Sequence, residues 1–271
     1  MRIPRYTLWL IVVIIGLHAS AEAQERPLVF GVLNQQSPAL TAERWNPMLA
    51  YVSAVSGVPL QLRMGPTVEA TDAMMGRGEM DFVFTNHNFQ PEFDSVGYKV
   101  IARWAGEPIK GVIAVPVDSP VKTLKDLEGA RVAFPSRDAF VAYAVPTLAL
   151  KHASVRVQEV FAANQEGVLA QLKAKRVDAG AVNSRFLAQY SERESVRFRE
   201  IFVSDAYPDL AVIHHPRLPA ATVEKVRRAL VGMAKDPAAA PILEKARSRG
   251  FEPATEREYE GVRRVYRQIP Q

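Results

Sequence analysis

The sequence predicts an α/β protein made of two units in tandem, each a mostly parallel sheet covered by helices. Two observations carry this. From Leu28 to about Val203, short apolar runs of strand type alternate with segments whose apolar residues recur at helical spacing. After Pro216 and Pro219 the alternation stops and only helical patterns follow.

Each element has its own reason. Leu28–Leu33 is a continuous apolar run, read as a buried first strand. Thr41–Val55 places Trp45, Met48, Leu49, Val52 and Val55 at helical spacing and is ended by Gly57 and Pro59. Leu60–Arg63 is a second strand, Val68–Met75 a helix stopped by Gly76 and Gly78, and Asp81–Thr85 a third strand. The second unit opens with a strand at Val112–Val117. Thr123 and Asp126 form an imperfect capping box ahead of a short helix that Gly129 stops. A strand at Arg131–Phe134 leads to Asp138, read as the cap of a helix running towards Lys151 and bent at Pro146. Strands at Val155–Phe161 and Ala179–Val182 flank a helix at Val168–Ala174. In the tail, Ala211–His215 is extended, and Val223–Met233, Ala238–Ala246 and Glu256–Ile269 are helical. No sequence repeat relates the two units.

The N-terminus reads as a secretory signal. Arg2 and Arg5 precede the apolar run Tyr6–Leu17, and Ala19, Ala21 and Ala23 offer small-residue cleavage sites. The run is too short for a bilayer-spanning helix, which needs about 20 residues. Cleavage after Ala23 is expected, giving a mature chain from Gln24. The 271 residues contain no cysteine, which excludes disulfides, thiolate metal sites, a cysteine nucleophile and a lipid-modified cysteine anchor. An exported protein without a tether needs a closed compartment, so the periplasm is expected. Losing Arg2, Arg5 and Glu22 from totals of 34 basic and 29 acidic residues leaves 32 against 28. That mild excess is spread along the chain. It suits an anionic ligand and lacks the clustered basic face of a nucleic-acid binder.

Five stretches together carry a resemblance: FGVLNQQSP (30–38), GRGEMDFVFTN (76–86), SPVKTLKDLEGARVAF (119–134), AKRVDAGAVNS (174–184) and HHPRLP (214–219). In this order and spacing the chain resembles the phosphate-, phosphite- and phosphonate-type periplasmic solute-binding proteins of ABC transporters. The resemblance implies the two-lobed type II periplasmic-binding-protein fold. Lobe one would comprise residues 24–112 plus 212–271, and lobe two residues 113–211. Hinge strands would cross near Val112–Val117 and Ala211–His215. It also implies a small oxyanion as ligand, capture without catalysis and a monomeric protein. The partner would be a membrane permease of an ABC transporter or, alternatively, the ectodomain of a sensor histidine kinase. No cofactor, metal or nucleic acid is expected. The absence of a G-x-S-x-G elbow, a P-loop and an H-E-x-x-H pair is consistent with a binding protein.

In such a fold, ligands sit beyond the carboxyl ends of the parallel strands, where helix starts direct free N–H groups at an anion. Four polar strand ends are readable: Asn34, Gln36 and Ser37; Thr85, Asn86 and His87; Ser136, Arg137 and Phe140; and Asn183 with Arg185. Typical phosphonate binders carry a Ser-Thr-Ser run at the start of the long helix of lobe two. Anchored on Tyr143 and Pro146, that run falls here on Ala139, Phe140 and Val141, so its hydroxyls are gone. Arg137 and Arg185 are gained nearby, and arginine grips carboxylates and oxyanions in bidentate fashion. Phe140 is a ligand-stacking wall or a core residue. Tyr207, at the second crossing, is a ligand contact or hinge packing. Asn86 and Asn88 are ligand contacts or caps of the following turn. His214 and His215 are neighbours on an extended segment, point to opposite faces and are not expected to chelate one metal.

Overall fold

The structure, a computed structural model, describes residues 26–32 and 38–269. The signal segment 1–23 and the end of the first strand at Leu33 lie outside the described residues. One sheet contains β1 (Leu28–Val32), β2 (Leu60–Arg63), β3 (Phe82–Phe84), β4 (Lys99–Trp104), β10 (Ala211–His214) and β11 (Phe251–Pro253), in the order β11-β4-β10-β3-β1-β2. The other contains β5 (Gly111–Pro116), β6 (Arg131–Phe134), β7 (Gln158–Phe161), β8 (Ala179–Asn183) and β9 (Phe198–Val203), in the order β7-β6-β8-β5-β9. β1 pairs in parallel with β2 and β3, and β6 pairs in parallel with β7 and β8. β10 and β5 run antiparallel to both of their neighbours.

Helices α1 (Pro38–Ser56), α2 (Val68–Gly76), α3 (Pro91–Asp94), α7 (Ala220–Gly232), α8 (Ala240–Ala246) and α9 (Glu260–Gln268) accompany the first sheet. α4 (Val145–His152), α5 (Gln165–Lys173) and α6 (Ser184–Arg193) accompany the second. The first lobe is centred on aromatic rings. Trp45 of α1 lies 4.7 Å from Phe84, and Phe84 lies 4.7 Å from Trp104. Burying such rings supplies much of a lobe's hydrophobic stabilisation. The second lobe buries aliphatic residues, among them Val112, Val168, Leu169 and Leu172.

Several expectations shift in detail. The Thr123–Asp126 capping box forms in full, around a 3₁₀ turn at Leu124–Leu127. Asp138 does not cap the next helix. That helix opens with a π turn, Phe140–Ala144, whose N-cap is Ala139, and no side chain caps it. The Ala139 carbonyl accepts from both Tyr143 N (2.7 Å) and Ala144 N (3.2 Å). Pro146 is the second residue of α4, directly after the π turn, and so lies inside the continuous helical stretch that begins at Phe140. β4, β9 and β11 carry charged residues or, in β11, proline within short runs, and the apolar reading passed over them.

The chain crosses between the lobes earlier than the sequence suggested. β5 lies wholly in the second sheet and β10 wholly in the first. The crossing segments are residues 105–110 and 204–210. They pair through Ile109 and Tyr207, each of whose N–H donates to the other's carbonyl at 2.8 Å.

Candidate functional site

Between the lobes lies a cavity of about 500 Å³, beyond the carboxyl ends of β3, β6, β7 and β8. Asn86 and His87 line it from the first lobe. From the second come Ser136, the chain from Ala139 to Ala142, Asn164 with Gln165, and Asn183 with Phe186. Ile109, Asp209 and Leu210 of the crossing segments complete it. No lysine or arginine lines it among the described residues.

Three helix starts of the second lobe meet here. The first helical amides after β6, those of Phe140, Val141 and Ala142, lie ahead of the first intrahelical bonds made by Tyr143 and Ala144. Such leading amides carry the positive end of the helix dipole, about half an elementary charge. Asn164 caps α5 by accepting from Gly167 N at 2.8 Å, and Asn183 caps α6 by accepting from Arg185 N at 2.8 Å. Gln165 Oε1 accepts from Asn183 N at 2.7 Å, which ties the two starts together. Gly111 lets β5 pass under the first of them. A Cβ at that position would stand 2.0 Å from the Val141 carbonyl oxygen.

The first lobe presents a tight turn. Thr85 Oγ1 accepts from Asn88 N (2.9 Å), and Asn88 Oδ1 accepts from Asn86 N (3.1 Å) and from Thr85 Oγ1 (3.2 Å). Thr85 is fully buried and does not line the cavity. The turn carries His87 into left-handed backbone, at φ 59°, which non-glycine residues adopt uncommonly. His87 Nε2 lies 2.7 Å from the Pro208 carbonyl, an acceptor only, so this nitrogen carries the proton. Burial lowers the His87 pKa, against the raising influence of that carbonyl and of Asp209. The neutral ring stacks on Phe140 at 5.1 Å, and Phe140 also meets Tyr207 at 4.8 Å and Tyr266 at 5.3 Å. Phe140 is thus both a cavity wall and the ring by which the second lobe packs on the first.

The remaining candidates are placed as follows. Asn34, Gln36 and Ser37 lie outside the described residues. Asn86, His87, Ser136, Phe140 and Asn183 are brought together in the cavity. Arg137, expected at the ligand, is held elsewhere: it donates to Tyr143 Oη at 2.9 Å and to Glu159 at 3.0 Å, and lies 4.8 Å from the Phe161 ring centroid. Arg137 stands in the turn after β6, and its guanidinium is held by these side chains of its own lobe. Arg185 donates to the Glu107 carbonyl (2.7 Å) and pairs with Asp209 (3.3 Å), at a neighbouring cavity. Tyr207 packs on Phe140 and lines a separate space beside α9. Asn164, Gln165, Phe186 and Asp209 were missed. An Asn-Gln-Glu-Gly run after a strand is a helix-start signal that would have pointed to the first two.

Two carboxyls near the cleft have raised pKa values. Asp72 of α2, which accepts from Asn88 Nδ2 at 3.4 Å, has its pKa pushed up to about 7, first by burial and then by Asp138 and Glu69. Asp138 is raised by desolvation and then by Glu69.

A profile of the phosphonate periplasmic substrate-binding proteins of ABC transporters matches residues 30–259. The chain belongs to this family. It is therefore a periplasmic substrate-binding protein that serves an ABC transporter, and not an enzyme. No curated protein sequence is matched by the chain. Among solved structures, the binding protein is similar to XAC2383 from Xanthomonas citri bound to ATP, at 19% identity and a TM-score of 0.74, over 89% of this chain and 96% of that one. It is similar to PhnD1 from Prochlorococcus marinus in complex with methylphosphonate, at 17% identity and TM-score 0.72, over 89% and 97% of the two chains. A binding protein component of an ABC phosphonate transporter from Pseudomonas aeruginosa matches at 14% identity and TM-score 0.69, over 89% and 86%. These likenesses establish the type II periplasmic fold.

Proposed function

We propose that this binding protein captures a small phosphate- or phosphonate-like oxyanion in the 500 Å³ cavity and delivers it, as a monomer, to the membrane permease. Export through a signal peptide cleaved after Ala23 belongs to the same reading. The observation that carries it is the meeting of the leading amides of Phe140, Val141 and Ala142 with Asn86, His87, Ser136 and Asn183 from two lobes. Fixed N–H dipoles in a water-poor cleft hold an oxyanion without a lysine or arginine. Ser136 and Asn183 supply side-chain donors, and His87 lends a neutral ring whose proton is already committed to Pro208. The methylphosphonate and ATP in the relatives' structures support a phosphoryl-type group for this cavity.

The lobes of periplasmic binding proteins close on ligand by hinge motion. Here the paired crossing at Ile109 and Tyr207 is the natural pivot. Isothermal titration of the mature protein with phosphate, phosphite, methylphosphonate and sulfate tests the reading. Binding of at least one phosphorus oxyanion in preference to sulfate is expected, and binding of none of them would overturn it.

A further inference from the structure

A second cavity, of about 660 Å³, adjoins the first and shares Asp209 and Leu210 with it. Its wall is built differently. Trp104 and Glu107 come from the end of β4 and the first crossing, Arg185 from the start of α6, and Arg247 and Arg249 from the chain after α8. Arg185 is committed to Asp209 and to the Glu107 carbonyl. Arg247 and Arg249 have no hydrogen-bond or ion-pair partner for their guanidinium groups among the described residues. Both residues are exposed at this wall and leave their guanidinium donors open to an anionic group.

Arg247 also stands where arginine is disfavoured. It closes α8 in the left-handed conformation, at φ 53°. Glycine or asparagine is the usual residue at that position. An arginine there sacrifices local backbone preference to put a guanidinium at the mouth of this cavity.

We propose that this cavity is a second anion subsite. It takes the second negatively charged group of a ligand whose first group occupies the amide-lined cavity. The ligand class is then a small molecule with two anionic groups on a short linker, such as a diphosphate or a phosphonocarboxylate. This rests on the oxyanion reading of the first cavity. Asp209 and Leu210 line both spaces, so the two cavities lie side by side. The arginines come from both lobes, so the second group also bears on closure. Arginine matches phosphate and carboxylate alike through its planar fork.

The test is titration of the full mature protein with methylphosphonate, pyrophosphate and phosphonoacetate at fixed low ionic strength. The variant is Arg247→Asn with Arg249→Gln, because asparagine tolerates the left-handed backbone and both side chains are exposed. The parent is expected to bind pyrophosphate or phosphonoacetate at least about tenfold tighter than methylphosphonate. The double variant should lose that advantage while its methylphosphonate affinity stays within about threefold. A tenfold loss corresponds to about 1.4 kcal/mol, just under the roughly 1.5–3 kcal/mol of one hydrogen bond to a charged group. The favoured two-anion probe identifies the second group as phosphate or carboxylate. Equal affinities of parent and variant for both two-anion probes, or no preference over methylphosphonate in the parent, overturns the subsite alone. No binding of any probe by the parent overturns the oxyanion reading and the subsite together.

Discussion

The cavity at the start of the Phe140 helix and the cavity beside Trp104 share Asp209 and Leu210 and differ in nearly everything else. The first is walled by helix amides, asparagines and a buried histidine, with no arginine or lysine among its described lining residues. The second has three arginines, two of which have no hydrogen-bond or ion-pair partner for their guanidinium groups among the described residues. Backbone amides at a helix start are already ordered, so they hold an anion at little entropic cost and with fixed geometry. Long arginine side chains lose about 2 kcal/mol of rotamer freedom when pinned, but adapt to groups at varied distances. The first arrangement suits a constant head group and the second a variable one.

Disturbing the helix start should break the comparison most severely. Phe140 is 3% exposed and joins the lobes through His87, Tyr207 and Tyr266. Phe140→Ala is expected to cost about 3–5 kcal/mol of stability, as for other buried aromatic truncations. Urea denaturation reads that loss, and methylphosphonate affinity should fall with it because the amides lose their support.

A smaller effect concerns charge at the edge of the first cavity. The raised pKa of Asp72, about 7 against 3.8, means that between those pH values the folded state keeps a proton the unfolded state has released. Stability should therefore fall as pH rises through that window, with the loss complete above about pH 7. Asp72→Asn removes the dependence. It should match the parent near pH 4 and exceed it at pH 8 by at least about 1 kcal/mol, allowing for partial exposure. Denaturant titrations at pH 4, 6 and 8 check both ends.

The smallest effect is expected at Arg137, which separates an arginine near a ligand in sequence from one near it in space. Arg137→Ala should leave anion affinity within about twofold and cost no more than about 1 kcal/mol, the worth of an exposed ion pair. A tenfold loss of affinity would instead return Arg137 to the site.

Much of the fold was legible because it rests on local patterns. β2 and β6 fall on the residues the sequence indicated, and the strands β1, β3 and β8 differ by a residue or so at their ends among the described residues. The strands that escaped, β4, β9 and β11, mix charged residues or a proline into short apolar runs and owe their pairing to distant partners. In the site, Asn86, His87, Ser136, Phe140 and Asn183 were readable because strand ends meet there. Arg137 was misplaced because the direction of a long side chain is set by its neighbours, here Tyr143 and Glu159. Asp209 carried no local signal beyond ordinary turn polarity, whereas Gln165 sits in the Asn-Gln-Glu-Gly helix start that could have found it.

The sequence by itself determined the alternation of strands and helices and the absence of thiols, which follow from periodicity and composition acting over a few neighbouring residues. The class of two-lobed binder, and the hydroxyls lost at Ala139, Phe140 and Val141, were implied by the resemblance that five stretches of the sequence carry. Only the tertiary structure decided where the chain crosses between lobes, that the helix opens with a π turn free of Asp138, and which arginines face a cavity. Those depend on pairing and packing between residues far apart in the chain, such as Ile109 with Tyr207 and Arg185 with Asp209.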